Sequence, residues 1–149
     1  MFKTIIVALD GSTHAKRAAV IATDLAHRYA SRLRFITVTK PPPKRISAEL
    51  KHYIEIEHLS RKPEELASDA VRKMLSDAER HARRKGVKDV RAVAQSGPVA
   101  RTIIGYAKRQ KADLIVMGSR GLGDIEGLLL GSVSHKVVSL ADCAVMTVR

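Results

Sequence analysis

Apolar and polar positions follow two different periods along the chain. Short, nearly continuous apolar runs are typical of strands that are covered on both faces of a parallel sheet. Between them, apolar residues recur three and four positions apart, which is typical of amphipathic helices. The runs predict five strands, at Lys3–Leu9, Arg32–Thr39, Val87–Gln95, Ala112–Met117 and Ala144–Val148. The intervals predict helices at Thr13–Ser31, from Pro63 to before Gly86, from Gly97-Pro98 onward, and at Ser132–Leu140.

The first and second helices show the clearest signals. The first carries a face of mostly small residues that can lie close to a sheet: Ala15, Ala18, Ala19, Ala22, Leu25, Ala26 and Tyr29. The second begins with Pro63 followed by Glu64 and Glu65, and carboxylates stabilise the positive end of a helix dipole. Gly86 ends it after a basic turn.

Strands and helices alternate from one end of the chain to the other. This order predicts an α/β fold with a parallel sheet, right-handed crossovers and helices on both faces. No repeat and no linker divides the chain, so a single domain spanning residues 1–149 is expected. The least regular part is 40–62, where Pro41–Pro43 stops the second strand. This segment is either a plain loop or a lid that contacts a partner.

The composition narrows the class of protein. The chain is 45% hydrophobic and 28% charged, which is ordinary for a globular protein. No apolar run reaches the ~20 residues of a membrane span, and the first residues enter a strand without the features of a signal peptide. The one cysteine, Cys143, cannot form an internal disulfide. We therefore expect a cytoplasmic protein without a membrane partner.

The net charge of +12 raises the question of a nucleic-acid partner. Most basic residues are spread along the chain, aromatic residues make up 3%, and there is no Trp, so bases would find few stacking platforms. These features argue against nucleic acid. One dense basic run, Arg80–Arg91, is a candidate surface for an unknown protein partner.

A glycine-rich loop lies between the fourth strand and the last helix. Its pattern is Gly118-x2-Gly121-x9-Gly131-Ser132. It is neither a Walker A loop nor the dinucleotide fingerprint of a first strand–helix turn. Glycines allow the backbone to approach an anion closely, and a helix N-terminus favours negative charge. The loop therefore predicts a phosphate site, against the alternative of a loop that binds no ligand.

These residues resemble the universal stress protein family over essentially the whole chain. Ile5–Ser12 is similar to the family's first strand and turn, the 118–133 segment looks like its ATP-binding signature, and Ala141–Arg149 resembles its last strand. The resemblance implies a Rossmann-like, open five-stranded sheet in the order 3-2-1-4-5. It also implies a homodimer joined through the C-terminal strand.

The resemblance also implies where the nucleotide lies. It assigns the adenosine to the ends of the first two strands, and the ribose and phosphates to the glycine loop. The implied residues are Ala8, Leu9, Asp10, Val38, Met117, Gly118, Arg120, Gly121, Gly131, Ser132 and Val133. The physical interpretation agrees, because Asp10 and Gly118 end strands predicted to be neighbours, on the rim where such sheets bind ligands. For Asp10 a capping or turn role is the alternative.

The predicted function is an ATP-binding regulator of the stress response. Asp10 is the only acid securely placed, and it is expected at the nucleoside end, so any ATPase activity should be weak. Asp124 and Glu126, inside the loop, either face solvent or hold a divalent cation such as Mg²⁺ with the nucleotide. His52 and His58 do not form a convincing metal site, and His135 and Cys143 are expected to be a surface residue and an unreactive thiol. The alternative function is a nucleotide-independent dimeric scaffold that uses its basic surface.

Overall fold

The computed structural model describes residues 1–39, 63–123 and 130–149. The predicted sites at His52, His58, Asp124 and Glu126 lie outside the described residues. The strands are β1 (Thr4–Ala8), β2 (Arg32–Thr39), β3 (Val90–Ser96), β4 (Leu114–Gly118) and β5 (Ala144–Val148). The helices of the described ranges are α1 (Thr13–Tyr29), α2 (Pro63–Arg84), α3 (Val99–Gln110) and α4 (Ser132–Leu140). None of these helices is long and apolar enough to span a bilayer.

The strands form one parallel sheet in the order β3-β2-β1-β4-β5, as predicted. The order reverses direction at β1, which pairs with β2 on one side and β4 on the other. Ala8 is level with Ile36 of β2 and with Met117 of β4. The carboxyl ends of these three strands therefore meet at one rim, which is where an open α/β sheet has its crevice.

Both faces of the sheet are covered by helices, also as predicted. Successive residues of β1 point to opposite faces, because side chains alternate along a strand. Ile5 and Val7 pack with the alanine face of α1 and with Leu75 and Ala82 of α2. Ile6 packs on the other face with Ile103 of α3, Val137 of α4 and their neighbours. Burial on both faces explains why β1 appears in the sequence as a continuous apolar run.

Three helices end in the same way, and this corrects two predicted boundaries. Ala30, Gly86 and Lys111 adopt positive φ angles of 54°, 90° and 51°, and each is followed by an N–H that bonds back to the carbonyl five residues earlier. This is the Schellman motif, in which the residue after the left-handed one packs against the helix. Val87 and Ala112 are such residues, so they belong to helix ends. Strand β3 begins at Val90 and β4 at Leu114.

A charged pair fastens β2 to the start of β3. Arg34, which is 5% exposed, donates from Nη1 to Oδ1 of Asp89 at 2.8 Å and from Nη2 to Oδ2 at 3.0 Å. The hydrogen bond from this guanidinium is the main reason that the pKa of Asp89 is lowered. Burial raises the pKa of Tyr106, and the charge of the same guanidinium partly opposes that rise. The pair holds the amino-terminal end of the sheet, opposite the rim described above.

Candidate functional site

A cavity of about 310 Å³ opens at the rim where β1, β2 and β4 end and α4 begins. Its size falls within the range of small-molecule sites in proteins. Every residue predicted for nucleotide binding lines it except Gly131: Ala8, Leu9, Asp10, Val38, Met117, Gly118, Arg120, Gly121, Ser132 and Val133. Residues from distant parts of the chain thus border one space.

Gly131 is the exception, and the structure gives a reason. It is buried behind the first turn of α4, and its N–H donates to the carbonyl of Ser119 at 2.7 Å. This N–H closes the glycine loop on itself, and so it is not available to a ligand. Gly131 therefore holds the glycine loop in place without lining the cavity itself.

One wall of the cavity is apolar and was only partly predicted. Ile36 lies beside Val38, and Val99 and Ile103 of α3 cover the same region. Ile36 is two residues before Val38 and therefore on the same face of β2. The alternation of side chains along a strand could thus have identified Ile36 once Val38 was chosen. Val99 and Ile103 are four residues apart on one face of α3, and finding them required knowing which sheet face α3 covers. A flat apolar ring fits such a wall.

Asp10 stands at the rim of the cavity in a fixed turn. Its Oδ1 accepts the N–H of Ser12 at 2.9 Å, while Gly11 adopts a φ of 87°. The capping of α1 is performed by Ser12, whose Oγ accepts the N–H of Ala15 at 3.1 Å. The carboxylate of Asp10 is exposed and borders the cavity. It is thus placed to accept hydrogen bonds from hydroxyl groups of a ligand.

The opposite end of the cavity favours an anion. Among the described residues no side chain caps α4, and the N–H groups of its first residues, Ser132, Val133 and Ser134, have no acceptor within the helix. All three residues line the cavity, at the positive end of the helix dipole. Arg120 borders the same space, and its Nε is buried with no hydrogen-bond partner among the described residues. Free donors and positive charge therefore converge here.

Gly118 is required by packing as well as by the loop. A Cβ at this position would lie 2.8 Å from Cβ of His14 and 2.9 Å from the backbone nitrogen of Ala15. The end of β4 thus lies directly against the first turn of α1. This contact holds the Asp10 turn close to the glycine loop, because α1 starts immediately after that turn.

Ser119, which was not predicted, joins several parts of the site. It is 2% exposed, and its N–H donates to the carbonyl of Val148 at 2.7 Å. Its carbonyl accepts both the N–H of Gly131 and the Oγ of Ser134, each at 2.7 Å. Its Oγ is 3.1 Å from Nδ1 of His14. One buried residue therefore connects β5, α4 and α1 beneath the cavity.

The remaining candidates stay outside this site. His135 is exposed on α4, and Cys143 is half-buried at the start of β5. Burial is the main cause that raises the pKa of the Cys143 thiol, so the thiol stays protonated and is a poor nucleophile. In the parts of the chain that the structure describes, no three His, Cys, Asp or Glu side chains are grouped to hold a metal ion.

The chain is similar to known proteins in both sequence and structure. The model of the universal stress protein family matches residues 1–149. A universal stress protein of Thermus aquaticus, encoded in the QAH/OAS sulfhydrylase 3′ region, is 38% identical over 153 residues that cover all of both chains. The universal stress protein UspA from Lactobacillus plantarum superposes with a TM-score of 0.75 at 25% identity, covering 99% of this chain and 97% of the other.

A third similar protein is known with a nucleotide. It is a universal stress protein solved in complex with cAMP, with a TM-score of 0.71 and 26% identity, covering 99% of this chain and 97% of that one. The matches extend over the full length of the strands and helices described above, and the family model covers every residue of the chain. The chain belongs to the universal stress protein family.

Proposed function

We propose that the protein is a cytoplasmic, ATP-binding regulator of the stress response that binds the nucleotide in the cavity at the rim of the sheet. One observation carries the proposal. A single space combines an apolar wall, an exposed carboxylate and an uncapped helix N-terminus with an arginine. These are the three surfaces that a base, a ribose and a phosphate chain require.

Each part of the nucleotide has a matching part of the cavity. Ile36, Val38 and Ile103 offer an apolar surface to adenine. Asp10 accepts hydrogen bonds from the ribose hydroxyls, as an acidic residue does in other nucleotide-binding α/β folds. The phosphates lie toward Arg120 and the first turn of α4, where N–H donors have no acceptor within the part of the chain that the structure describes. The relative solved with cAMP supports an adenine nucleotide as the ligand class.

The proposed role is binding, with ATP hydrolysis weak at most. Phosphoryl transfer requires a positioned water or acceptor and usually a base beside the phosphates. Asp10 is the only carboxylate among the described residues that line the cavity, and it stands at the nucleoside end in this arrangement. Bound Mg²⁺ would neutralise part of the phosphate charge, and its protein ligands are not assigned among the described residues.

We expect Arg120→Ala to weaken ATP binding by about ten- to a hundredfold, because a charge-assisted contact contributes ~1.5–3 kcal/mol. Isothermal titration calorimetry with ATP and with AMP measures the effect. The affinity for AMP should fall less than the affinity for ATP, since AMP lacks the outer phosphates. Arg28→Ala removes the same charge from an exposed position in the last turn of α1 and should leave both affinities unchanged.

The outcome separates two functions. If wild-type protein ignores ATP in the calorimeter and native mass spectrometry finds no co-purified nucleotide, the proposal fails and the nucleotide-independent scaffold replaces it. If ATP and AMP bind equally and Arg120→Ala changes neither affinity, the phosphates are not held at the start of α4. The placement of the ligand would then be wrong.

We further propose that the protein is a homodimer joined through β5. This strand lies at one edge of the sheet and carries only uncharged side chains. Because the carbonyl of Val148 accepts from Ser119 on the β4 side, the alternate residue Thr147 directs its N–H outward. Two such edges can pair without bringing charges together.

We expect Thr147→Pro to convert the dimer to a monomer, since proline removes an outward N–H and blocks strand pairing. Light scattering coupled to size-exclusion chromatography measures the mass in solution. Thr147→Val keeps the N–H and should remain dimeric. A dimer of unchanged stability with Thr147→Pro would show that the subunits meet elsewhere.

A further inference from the structure

The opposite edge of the sheet, β3, directs outward backbone groups that no described strand uses, and its residues become more exposed from Val90, which is 1% exposed, to Ala94 and Ser96. At the two ends of its ladder with β2, Leu33 donates to the carbonyl of Asp89 and Gly97 donates to the carbonyl of Thr39. Alternate residues of a parallel strand bond to the same neighbour. The backbone groups of Val90, Ala92, Ala94 and Ser96 therefore point away from the sheet. The carbonyl of Val90 confirms this direction, because it accepts Nη2 of Arg83 at 2.9 Å.

Arginines flank this edge on both faces of the sheet. On the α2 face, a shallow cleft of about 430 Å³ beside Ala92 is lined by Arg72, Arg80 and Arg83. Each of these arginines has a carboxylate partner, Asp69 at 3.8 Å, Asp77 at 3.5 Å and Glu79 at 2.7 Å respectively. On the α3 face, Arg91 is exposed, and Arg109 reaches Oε1 of Gln95 at 3.1 Å. We name this surface the basic edge: strand β3 with Arg72, Arg80, Arg83, Arg91 and Arg109.

The basic edge does not suit a second copy of this chain. Pairing two copies there would bring their arginines together, on a protein that already carries a net charge of +12. Basic side chains on an edge strand are one means by which proteins discourage such self-pairing. Strand β5, with its uncharged residues, has the opposite chemistry. The two edges of the sheet therefore select different partners.

We propose that the basic edge binds an extended, acidic segment of another protein, which adds to the sheet as a strand beside β3. Outward N–H and C=O groups on alternate residues match the backbone of a peptide strand. Side chains alternate between the two faces of a strand, so the carboxylates of an alternating segment would lie on the α3 face, against Arg91 and Arg109. A nucleic acid could satisfy the arginines but not the alternating backbone groups. This inference is independent of the nucleotide cavity, which opens at the carboxyl ends of β1, β2 and β4.

A labelled ten-residue peptide that alternates Glu and Val tests the proposal by fluorescence anisotropy. We expect it to bind the wild-type protein, whereas the same peptide with Lys in place of Glu should not bind. Ala94→Pro should weaken binding about tenfold, because it removes an outward N–H without breaking the ladder to β2. Ala94→Ser keeps the N–H and should bind as the wild type does.

Charge is tested by Arg91→Glu, which should also weaken binding about tenfold and does not depend on how the proline variant folds. Circular dichroism and the midpoint of thermal unfolding report whether each variant keeps its fold. Absence of binding by the Glu peptide overturns the proposal, and so does equal binding by the Lys peptide. If Ala94→Pro folds and binds the peptide like the wild type, the edge does not accept a strand. The same conclusion follows if a ten-nucleotide thymidine strand displaces the peptide while Arg91→Glu still binds the peptide normally.

Discussion

Replacing Gly118 by alanine is expected to lower the free energy of unfolding by about 2 to 3 kcal/mol, as overpacking of a tight contact does. The added Cβ would lie 2.8 Å from Cβ of His14 and 2.9 Å from the nitrogen of Ala15. Both belong to the first turn of α1, so β4 and α1 must separate to admit it. Urea denaturation followed by circular dichroism measures the loss.

Gly123→Ala is the matched control for this prediction. It makes the same chemical change in the same loop, but a Cβ at Gly123 meets no heavy atom of the described residues within 4 Å. We expect its free energy of unfolding to stay within about 0.5 kcal/mol of the wild type. If both variants were equally stable, the close approach of β4 to α1 would not limit the side chain at position 118.

Filling the cavity at Ala8 is expected to reduce ATP affinity about a hundredfold, or ~2.7 kcal/mol. Ala8 ends β1 and lines the cavity between Ile36 and Met117, its partners in the neighbouring strands. Ala8→Leu adds three carbon atoms in the space that the proposal gives to adenosine. Because that space is open, the larger side chain should not destabilise the fold. Calorimetry with ATP and a urea titration measure the two effects together.

Ala8→Ser controls for the change of residue, since serine adds one atom and should keep most of the affinity. Gly118→Ala acts through stability, whereas Ala8→Leu should act on binding alone. A folded Ala8→Leu variant that binds ATP like the wild type would mean that the nucleotide does not enter this cavity.

The order and the type of the elements could be predicted because the apolar pattern reflects burial directly. Strand β1, covered on both faces, appears as an unbroken apolar run, and α1 shows its alanine face. The helical spacing places Tyr29 on that face, but Tyr29 is 42% exposed, and the centroid of its ring lies 5.7 Å from that of Phe2 in a T-shaped arrangement. A residue in the last turn keeps the helical spacing even where the sheet no longer lies beneath it.

The site could be predicted only where residues belong to a pattern. The strand ends and the glycine spacing pointed to most of the cavity lining, and the strand order followed from the family resemblance rather than from periodicity. Ser119 and Ser134 form a buried contact across the glycine loop, and nothing local in the sequence distinguishes them from surface serines. Likewise, the pairing of Arg34 with Asp89 depends on the register of two strands that are distant in sequence.

Ser119 has a consequence for how the two proposed associations affect each other. Its N–H is bonded to the last residue of the edge strand β5, and its carbonyl is bonded to the start of α4. A ligand bound at Arg120 and the start of α4 would thus be connected, through Ser119, to the end of the strand that we propose joins the subunits. Thermodynamic linkage makes this relation reciprocal. If nucleotide binding raises the association constant of the subunits by some factor, association raises the affinity for nucleotide by the same factor. The cellular concentration of the protein would then set its sensitivity to ATP.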